Sequence, residues 1–397
     1  MEEKVKLLQV FNRYRERGGE EKSAERIFQH GSAVANIEKL WWDSASWDSS
    51  DGPSALGQLQ RIFYNQDSAK ELRQRVSRFE PNGLLCHNLY PIGSPSVYAT
   101  ARKLDLPVLQ YIHNFRPFSV GASLWAGNRI TEESLHGQFW SEVKSGSWQN
   151  SVFKSAIMAC VLKNLHCQGW LESIVCWVAI SDFMRDKFIE AGIPEEKVVT
   201  LRHSWDSGLC EANARKERDY YLFLSRLVPE KGVMCLLDAW AILEKEMGAS
   251  CPRLLIGGTG SEEEKVMLAA QNSKKIEFVG FVEGVEKTVL IQGCRAMLAP
   301  SIWWEPLGLV TYEAYDNCRP MIAAASGGLS ETVVPGKTGW LHSPDSAEQL
   351  AATILECEEF GPKGRQDYGM AGKSWLKANA SPKQWRHDFG SILEKFL

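Results

Sequence analysis

The sequence predicts an α/β chain made of two doubly wound parallel-sheet units. Three observations carry this. The chain has 397 residues, and domains run to about 100–200 residues, so two fit better than one. Apolar runs of four or five residues recur between longer helix-like stretches, the signature of parallel strands covered on both faces. The runs fall into two series with a polar connector between them.

The first series opens with the strand Val5-Lys6-Leu7-Leu8-Gln9-Val10-Phe11. A Gly18-Gly19 turn follows, then a helix to about Gln29. Gly83 to His87, Val108 to Ile112, Ser173 to Ile180 and Val198 to Leu201 supply further strands, with a helix capped by Ser181 or Asp182 before the last. Residues 204–218 read as the connector. The second series runs through Tyr220–Leu224, Arg253–Ile256, Ile276–Val279, Arg295–Ala299 and Pro320–Ala324. Residues 42–58, rich in Ser, Asp, Gly and Trp, read as a surface loop. The expected boundaries are 1–205, 206–380 and a final helix, 381–397, returning to the first domain.

Composition excludes several classes. Apolar residues make up 44% and charged residues 24%, an ordinary globular balance that excludes disorder, collagen and coiled coil. A net charge of −4 gives no general pull toward nucleic acid, and none is expected as a partner. The ten Cys form no CxxC pair and have no His at zinc spacing, so buried reduced thiols and no metal site are expected. The best apolar stretch, Ser155 to Ile180, is broken by Lys163, His166 and Glu172 and cannot span a bilayer. Met1-Glu2-Glu3-Lys4 lacks a signal pattern, which points to the cytoplasm. The 15 Trp are an excess, read as aromatic core or as sugar- and lipid-facing surface.

Five groups of residues sit where strands become loops, the place at which such folds bind ligands. The strongest runs from Ala299 to Glu313. Pro306 suits the first position of a helix, Glu305 sits just before it, and Glu313 lies about two turns in. Free amides near Gly308, Leu309 and Val310 would form an anion site. The alternative is a helix-terminus acid and a solvated one. Arg226 and Lys231 leave the end of the Tyr220–Leu224 strand and could neutralise a diphosphate; two solvated cations are the plainer reading. Gly257-Gly258-Thr259-Gly260 permits close approach of a ligand but lacks a dinucleotide or Walker spacing. Arg13, Arg15, Arg17, Gly18 and Gly19 could meet an oxyanion or form a tight turn. His87-Asn88 and His113-Asn114-Phe115-Arg116 place two histidines at strand ends, as structural residues or as a site.

In this order the motifs resemble the donor half of retaining GT-B glycosyltransferases of family 4. They are Arg226 and Lys231, Gly257–Gly260, Glu277-Phe278-Val279-Gly280-Phe281, Glu305-x7-Glu313, and Gly327-Gly328 with Gly336-Lys337-Thr338-Gly339. The first half is similar to the branch that builds bacterial polysaccharides, through its Arg-Gly-Gly-Glu loop, His87 to Pro91 and His113 to Arg116. The resemblance covers nearly the whole chain. It implies a GT-B fold, two Rossmann-like doubly wound domains facing across a cleft. It implies transfer from a nucleotide-diphosphate sugar, with UDP or GDP as the nucleotide, to a saccharide or lipid-linked acceptor.

The resemblance also implies roles. Arg226 and Lys231 would hold the diphosphate, Glu305 the transferred sugar, Glu313 the ribose. Gly308, Leu309 and Val310 would lie near sugar and phosphates, and Gly258, Val279 and Phe281 near the nucleoside. Gly18 and Gly19 would approach the donor from the first domain, and His113 would contact the sugar at the reaction centre. No DxD spacing occurs in a plausible donor loop, so transfer without a metal is expected, with no other cofactor. Pro117 to Trp125 departs from the branch, which carries cysteines there, so the acceptor is less defined. Lys70, Arg73, Arg75 and Arg78 on one helix, with the Arg13 group, suggest peripheral contact with the inner membrane face or a solvated face. The competing readings are a GT-B epimerase or phosphorylase, or an inactive sugar-binding relative.

Overall fold

The structure is a computed structural model that describes residues 4–15, 18–207 and 217–397. Arg17, Met1 to Glu3 and residues 208–216 of the connector lie outside the described residues. The chain divides into two compact units, Met1–Ser204 with Pro382–Leu397, and Trp205–Ser381.

The first unit is built on six parallel strands: β1 (Lys6–Arg13), β2 (Asn36–Asp43), β3 (Gly83–Cys86), β4 (Val108–Ile112), β7 (Ile174–Ala179) and β8 (Val198–Thr200). Their order is β2-β1-β3-β4-β7-β8, with a small antiparallel hairpin, β5 (Trp125–Ala126) and β6 (Arg129–Ile130), outside the sheet. The interior strands β3 and β4 are buried along their whole length because helices cover both faces. β2 lies at the edge and alternates buried Ile37, Leu40 and Trp42 with half-exposed Glu38 and Lys39. This strand was not expected, since its polar alternation hides the continuous apolar run that marks interior strands.

Residues 42–58 are not one loop. Trp42 ends in β2, Ser44–Asp48 make a 3₁₀ turn, and Ala55 starts a helix to Phe63. Trp42 and Trp47 are buried, and Trp42 donates to Glu71 at 2.8 Å. They are packing residues rather than sugar- or lipid-facing ones. Ser181, not Asp182, caps the helix Asp182–Glu190 by accepting from the Met184 amide at 3.1 Å. The final helix, Pro382–Phe396, packs on this unit. Trp385 stacks on Phe389 and donates toward the Tyr111 hydroxyl at 3.4 Å.

The second unit holds β9 (Tyr220–Leu224), β10 (Arg253–Gly257), β11 (Ile276–Gly280), β12 (Met297–Ala299), β13 (Met321–Ala324) and β14 (Gly339–His342), all parallel. The order is β11-β10-β9-β12-β13-β14. Counted from β9, this is the 3-2-1-4-5-6 order of a Rossmann sheet, with its reversal between β9 and β12. β14 is again an unexpected edge strand. The core gathers Tyr221, Phe223, Leu236, Trp240, Leu254 and Ile256. Trp240 and, in the first unit, Trp177 are fully buried.

Among the described residues no helix is long and apolar enough to cross a membrane. Of the nine cysteines described, seven are buried, while Cys160 and Cys167 are exposed, against the expectation of buried thiols throughout; Cys210 is not described.

Candidate active site

In a doubly wound sheet the loops leaving neighbouring strands diverge to opposite faces where the strand order reverses, and a crevice opens there. In the second unit that point lies between β9 and β12. The loop after β9 carries Lys231 and the loop after β12 carries Glu305, and the two side chains close an ion pair. Ser301 and Trp303 also donate to Glu305 Oε1, at 2.8 and 3.0 Å. The Lys231 ammonium sits 4.8 Å from the centre of the Trp303 ring.

Burial opposes the charge on Glu305, but the Lys231 cation and the donated hydrogen bonds hold its carboxyl below the ordinary value. Glu305 is therefore a buried, anchored acid and not a solvated helix-terminus residue. The helix begins later than expected, at Leu309, with Gly308 as its left-handed N-cap (φ 82°). Pro306 is not its first residue, and Glu313 is the fifth residue, little more than one turn in. The leading amides of Leu309 and Val310 lie at the start of this helix, where they lack intrahelical acceptors.

Two close approaches explain glycines of the pattern. A Cβ on Gly327 would sit 2.3 Å from the Glu305 carbonyl oxygen, and the next amide, of Gly328, donates to that oxygen at 2.7 Å. The Gly-Gly turn thus clamps the backbone that carries Glu305. A Cβ on Gly258 would sit 1.8 Å from the Ser225 carbonyl oxygen, so this glycine lets the β10 loop lie against the β9 loop.

Beside these loops is a recess lined by Ser225, Arg226, Gly258, Thr259, Phe281 and Lys287. The Arg226 side chain is 64% exposed and only 3.5 Å from Glu230. It differs from Lys231, with which it was paired in the sequence, since the Lys231 side chain is 15% exposed and committed to Glu305. Phe281 stands exposed on the rim, just past Val279 and the end of β11. Glu313 accepts from Lys287 at 2.7 Å. Lys287, Ser301 and Trp303 were not foreseen as partners; no spacing rule links them to the acids they hold.

In the first unit the order reverses between β1 and β3. His87 follows β3, His113 follows β4 and His203 follows β8, and the three rings gather with Tyr111. His113 lies 5.1 Å from His87 and 5.2 Å from His203, ring to ring. His87 Nδ1 is 2.8 Å from His113 Nε2. Burial pushes all three imidazoles down, His113 to about 3. His203 carries the same signal as the other two, a histidine just past a strand, and was overlooked.

Gly18 is the extended N-cap of the helix Gly19–Gly31, with nothing within 4 Å of a Cβ placed on it. Glu20, one residue beyond Gly19, lines a small pocket with His87, Asn88, His113, Asn114 and Arg116. It accepts from Tyr14 at 2.7 Å and from Asn114 at 3.1 Å. Burial pushes its carboxyl up to about 7 against the pull of Tyr14 and Arg116. Arg13 and Arg15 are ion-paired with Glu21 and Asp48, each at 2.7 Å, so neither is a free oxyanion ligand. Lys70, Arg73 and Arg78 are exposed on the helix Gln66–Phe79, while Arg75 lies 3.8 Å from Glu38.

The departing segment after Arg116 is organised by a buried acid. Glu142 accepts from the Ser119 hydroxyl at 2.6 Å, the Val120 amide at 3.0 Å and the Gly121 amide at 2.9 Å.

Two doubly wound units of six parallel strands each, one of them with an ion-paired crevice at its reversal point, define a GT-B α/β fold. Residues 211–375 match the family model of glycosyl transferases group 1. The glycogen synthase of Mycobacterium tuberculosis is 29% identical over 198 residues, 47% of this chain and 46% of that protein. The O-antigen chain mannosyltransferase B of Escherichia coli is 25% identical over 209 residues, 49% of this chain and 54% of that protein. The chain thus spans about half the length of these curated relatives. The crystal structure of Anabaena HepE in complex with UDP has a TM-score of 0.70 at 17% identity, covering 98% of this chain and all of that one. Sucrose-phosphate synthase from Thermosynechococcus elongatus has a TM-score of 0.69 at 17% identity, covering 99% of each chain. At these identities the likeness to both is one of fold.

Proposed function

We propose that the chain is a retaining, metal-independent glycosyltransferase that moves a sugar from a nucleotide-diphosphate sugar to a saccharide or lipid-linked acceptor in glycan assembly. The observation that carries this is the Lys231–Glu305 pair at the reversal point of a Rossmann sheet. The match to the group 1 family over the same loops supports it, as do the crystal structures of HepE in complex with UDP and with UDP-glucose.

Each residue then has a task that its surroundings suit. Breaking the anomeric bond builds negative charge on the leaving diphosphate. Lys231, Arg226 and the amides at Leu309 and Val310 supply positive potential in a fixed frame, which stabilises that charge without a metal. Lys231, Ser301 and Trp303 all take Glu305 Oε1, and Oε2 is the oxygen assigned to a sugar hydroxyl. Phe281 offers a ring face to the nucleobase, and Glu313 accepts from the ribose once it leaves Lys287. With Glu305 engaged on hydroxyls, no carboxylate is assigned to attack from beneath the sugar. Attack on the same face as departure, with a leaving phosphate oxygen taking the acceptor proton, retains configuration. His113 is the residue of the first unit assigned to the transferred sugar. The exposed Lys70, Arg73 and Arg78 suit contact with anionic lipid on the cytoplasmic face, where a lipid-linked acceptor would reside.

The test is turnover of a panel of UDP- and GDP-sugars, with and without chelator, by the native protein and by Lys231→Ala. Loss of Lys231 is expected to lower kcat by about 10²–10³. A Lys231→Ala protein that turns over donor as fast as the native one sinks the site assignment.

A further inference from the structure

Gln9 lies on β1, in the interior of the first sheet, and is fully buried. Its side-chain nitrogen is 2.9 Å from the Ala24 carbonyl oxygen and 2.9 Å from His87 Nε2. A carbonyl oxygen can only accept, so the amide NH₂ must face it, and the second hydrogen goes to His87. His87 Nε2 is then an acceptor, and the His87 proton sits on Nδ1. That nitrogen faces His113 Nε2 at 2.8 Å. His113 Nε2 must also accept, which leaves its proton on Nδ1. An added proton has no place along this chain, because each imidazole acceptor already faces a donor.

We infer that Gln9 is a positioning residue that locks His87 and His113 as neutral imidazoles protonated on Nδ1, so that neither ring adds a positive charge beside the reacting sugar. The lock rests on the hydrogen bonds alone; its purpose rests on the glycosyl-transfer reading of His113. Glycosyl transfer builds oxocarbenium-like positive charge on the sugar ring. An imidazolium beside it would oppose that charge, while a neutral ring still packs against the sugar.

The surroundings agree. The groups that face the two rings or line their pocket are Gln9 from β1, Tyr90 and Tyr98 between β3 and β4, Tyr111 from β4, Arg116 after β4, His203 after β8, and Glu20 from the helix Gly19–Gly31. Arg26 of that helix acts on His203 and disfavours its protonation. The one carboxylate among them, Glu20, is engaged with Tyr14 and Asn114 and not with an imidazole. Desolvation lowers the proton affinity of all three rings.

The experiment has two arms. In the native protein, nitrogen-15 NMR of the histidine side chains at pH 6 and pH 8 is expected to show His87 and His113 neutral with Nδ1–H at both values. An imidazolium, or an Nε2–H form, on either ring at pH 6 overturns the lock. In Gln9→Glu a carboxylate replaces the donor and raises the affinity of His87 for a proton. Its kcat is expected to fall by about a further tenfold per pH unit below the new pKa, relative to the native protein, in which Glu20 is the group of this pocket that titrates near 7. A Gln9→Glu profile that matches the native one overturns the stated purpose of the lock. If neither protein turns over any nucleotide sugar, the proposed function fails instead, and the NMR arm still reads the lock.

Discussion

Lys231 and Glu305 come from loops 74 residues apart and close an ion pair in which both side chains are largely shielded from water. Removing one partner of such a pair leaves the other charged and desolvated. Lys231→Ala should therefore cost about 3 kcal/mol of stability, beyond its effect on rate. The double substitution Lys231→Met with Glu305→Leu should recover most of that loss, since two apolar groups leave no orphan charge. Denaturant unfolding of the two singles and the double decides it. Additive losses in the double would show that the pair is not coupled.

The pair also has a pH signature. The Glu305 carboxyl is held below its ordinary value, so the folded state binds its proton less readily than the unfolded chain. Its stabilising contribution is fully present above the ordinary carboxylate range near pH 4.3 and is lost as pH falls through the lower folded value. The histidines act higher on the scale. Their folded affinities are depressed, His113 to about 3, so the unfolded chain binds protons that the folded chain refuses. Each such ring removes about 1.4 kcal/mol per pH unit as pH falls below about 6.5, and His113 continues to do so down to about 3. Melting temperature should drop steeply from pH 6.5 to 5, and less steeply in His203→Phe. Equal slopes for the two proteins would reject this account of acid sensitivity.

Glu313 and Lys287 form a half-exposed pair of the kind worth under about 1 kcal/mol. Glu313→Ala should thus leave the melting temperature of the free protein nearly unchanged. It should weaken UDP or GDP binding by about tenfold to a hundredfold, the loss of a hydrogen bond to a charged group. Calorimetric titration with both nucleotides reads this directly. Unchanged affinity for whichever nucleotide binds would move the ribose away from Glu313.

Glu142 receives three donors at no solvent exposure. Glu142→Ala strands all of them, at about 1–3 kcal/mol each when buried and unpaired. The variant should unfold at markedly lower denaturant, and the segment Ser119 to Gly121 should become the first site of proteolysis. A protein as protease-resistant as the native one would show that the loop is held by something other than this acid.

Much of the fold was legible in the residues. Interior strands such as Leu84–Cys86 and Val108–Ile112 announce themselves because both faces are covered and nearly every position is apolar, Gln110 being the exception. The edge strands Asn36–Asp43 and Gly339–His342 escaped notice, the first because it alternates polar with apolar residues, the second because its four residues, Gly-Trp-Leu-His, form no continuous apolar run although most of them are buried. The site divides the same way. Lys231, Glu305, His113 and the Gly-rich turns stood out because they follow strands directly. Arg226 and Lys231, five positions apart on one loop, point into different environments, one open and one closed by Glu305, which their shared place after a strand does not reveal.

The sequence by itself determined the two-unit α/β plan, the strand ends at which chemistry collects and the kinds of residue placed there. These are properties of local pattern, fixed by periodicity and by the position of glycines and charges after apolar runs. Only the tertiary structure decided which of those residues meet. The reversal of strand order brings Lys231 to Glu305 and Gln9 to His87, and burial then sets whether a carboxylate stays charged and whether an imidazole can hold a proton. Such pairings join residues tens of positions apart, and their energies come from excluded water and donor geometry that no spacing along the chain records.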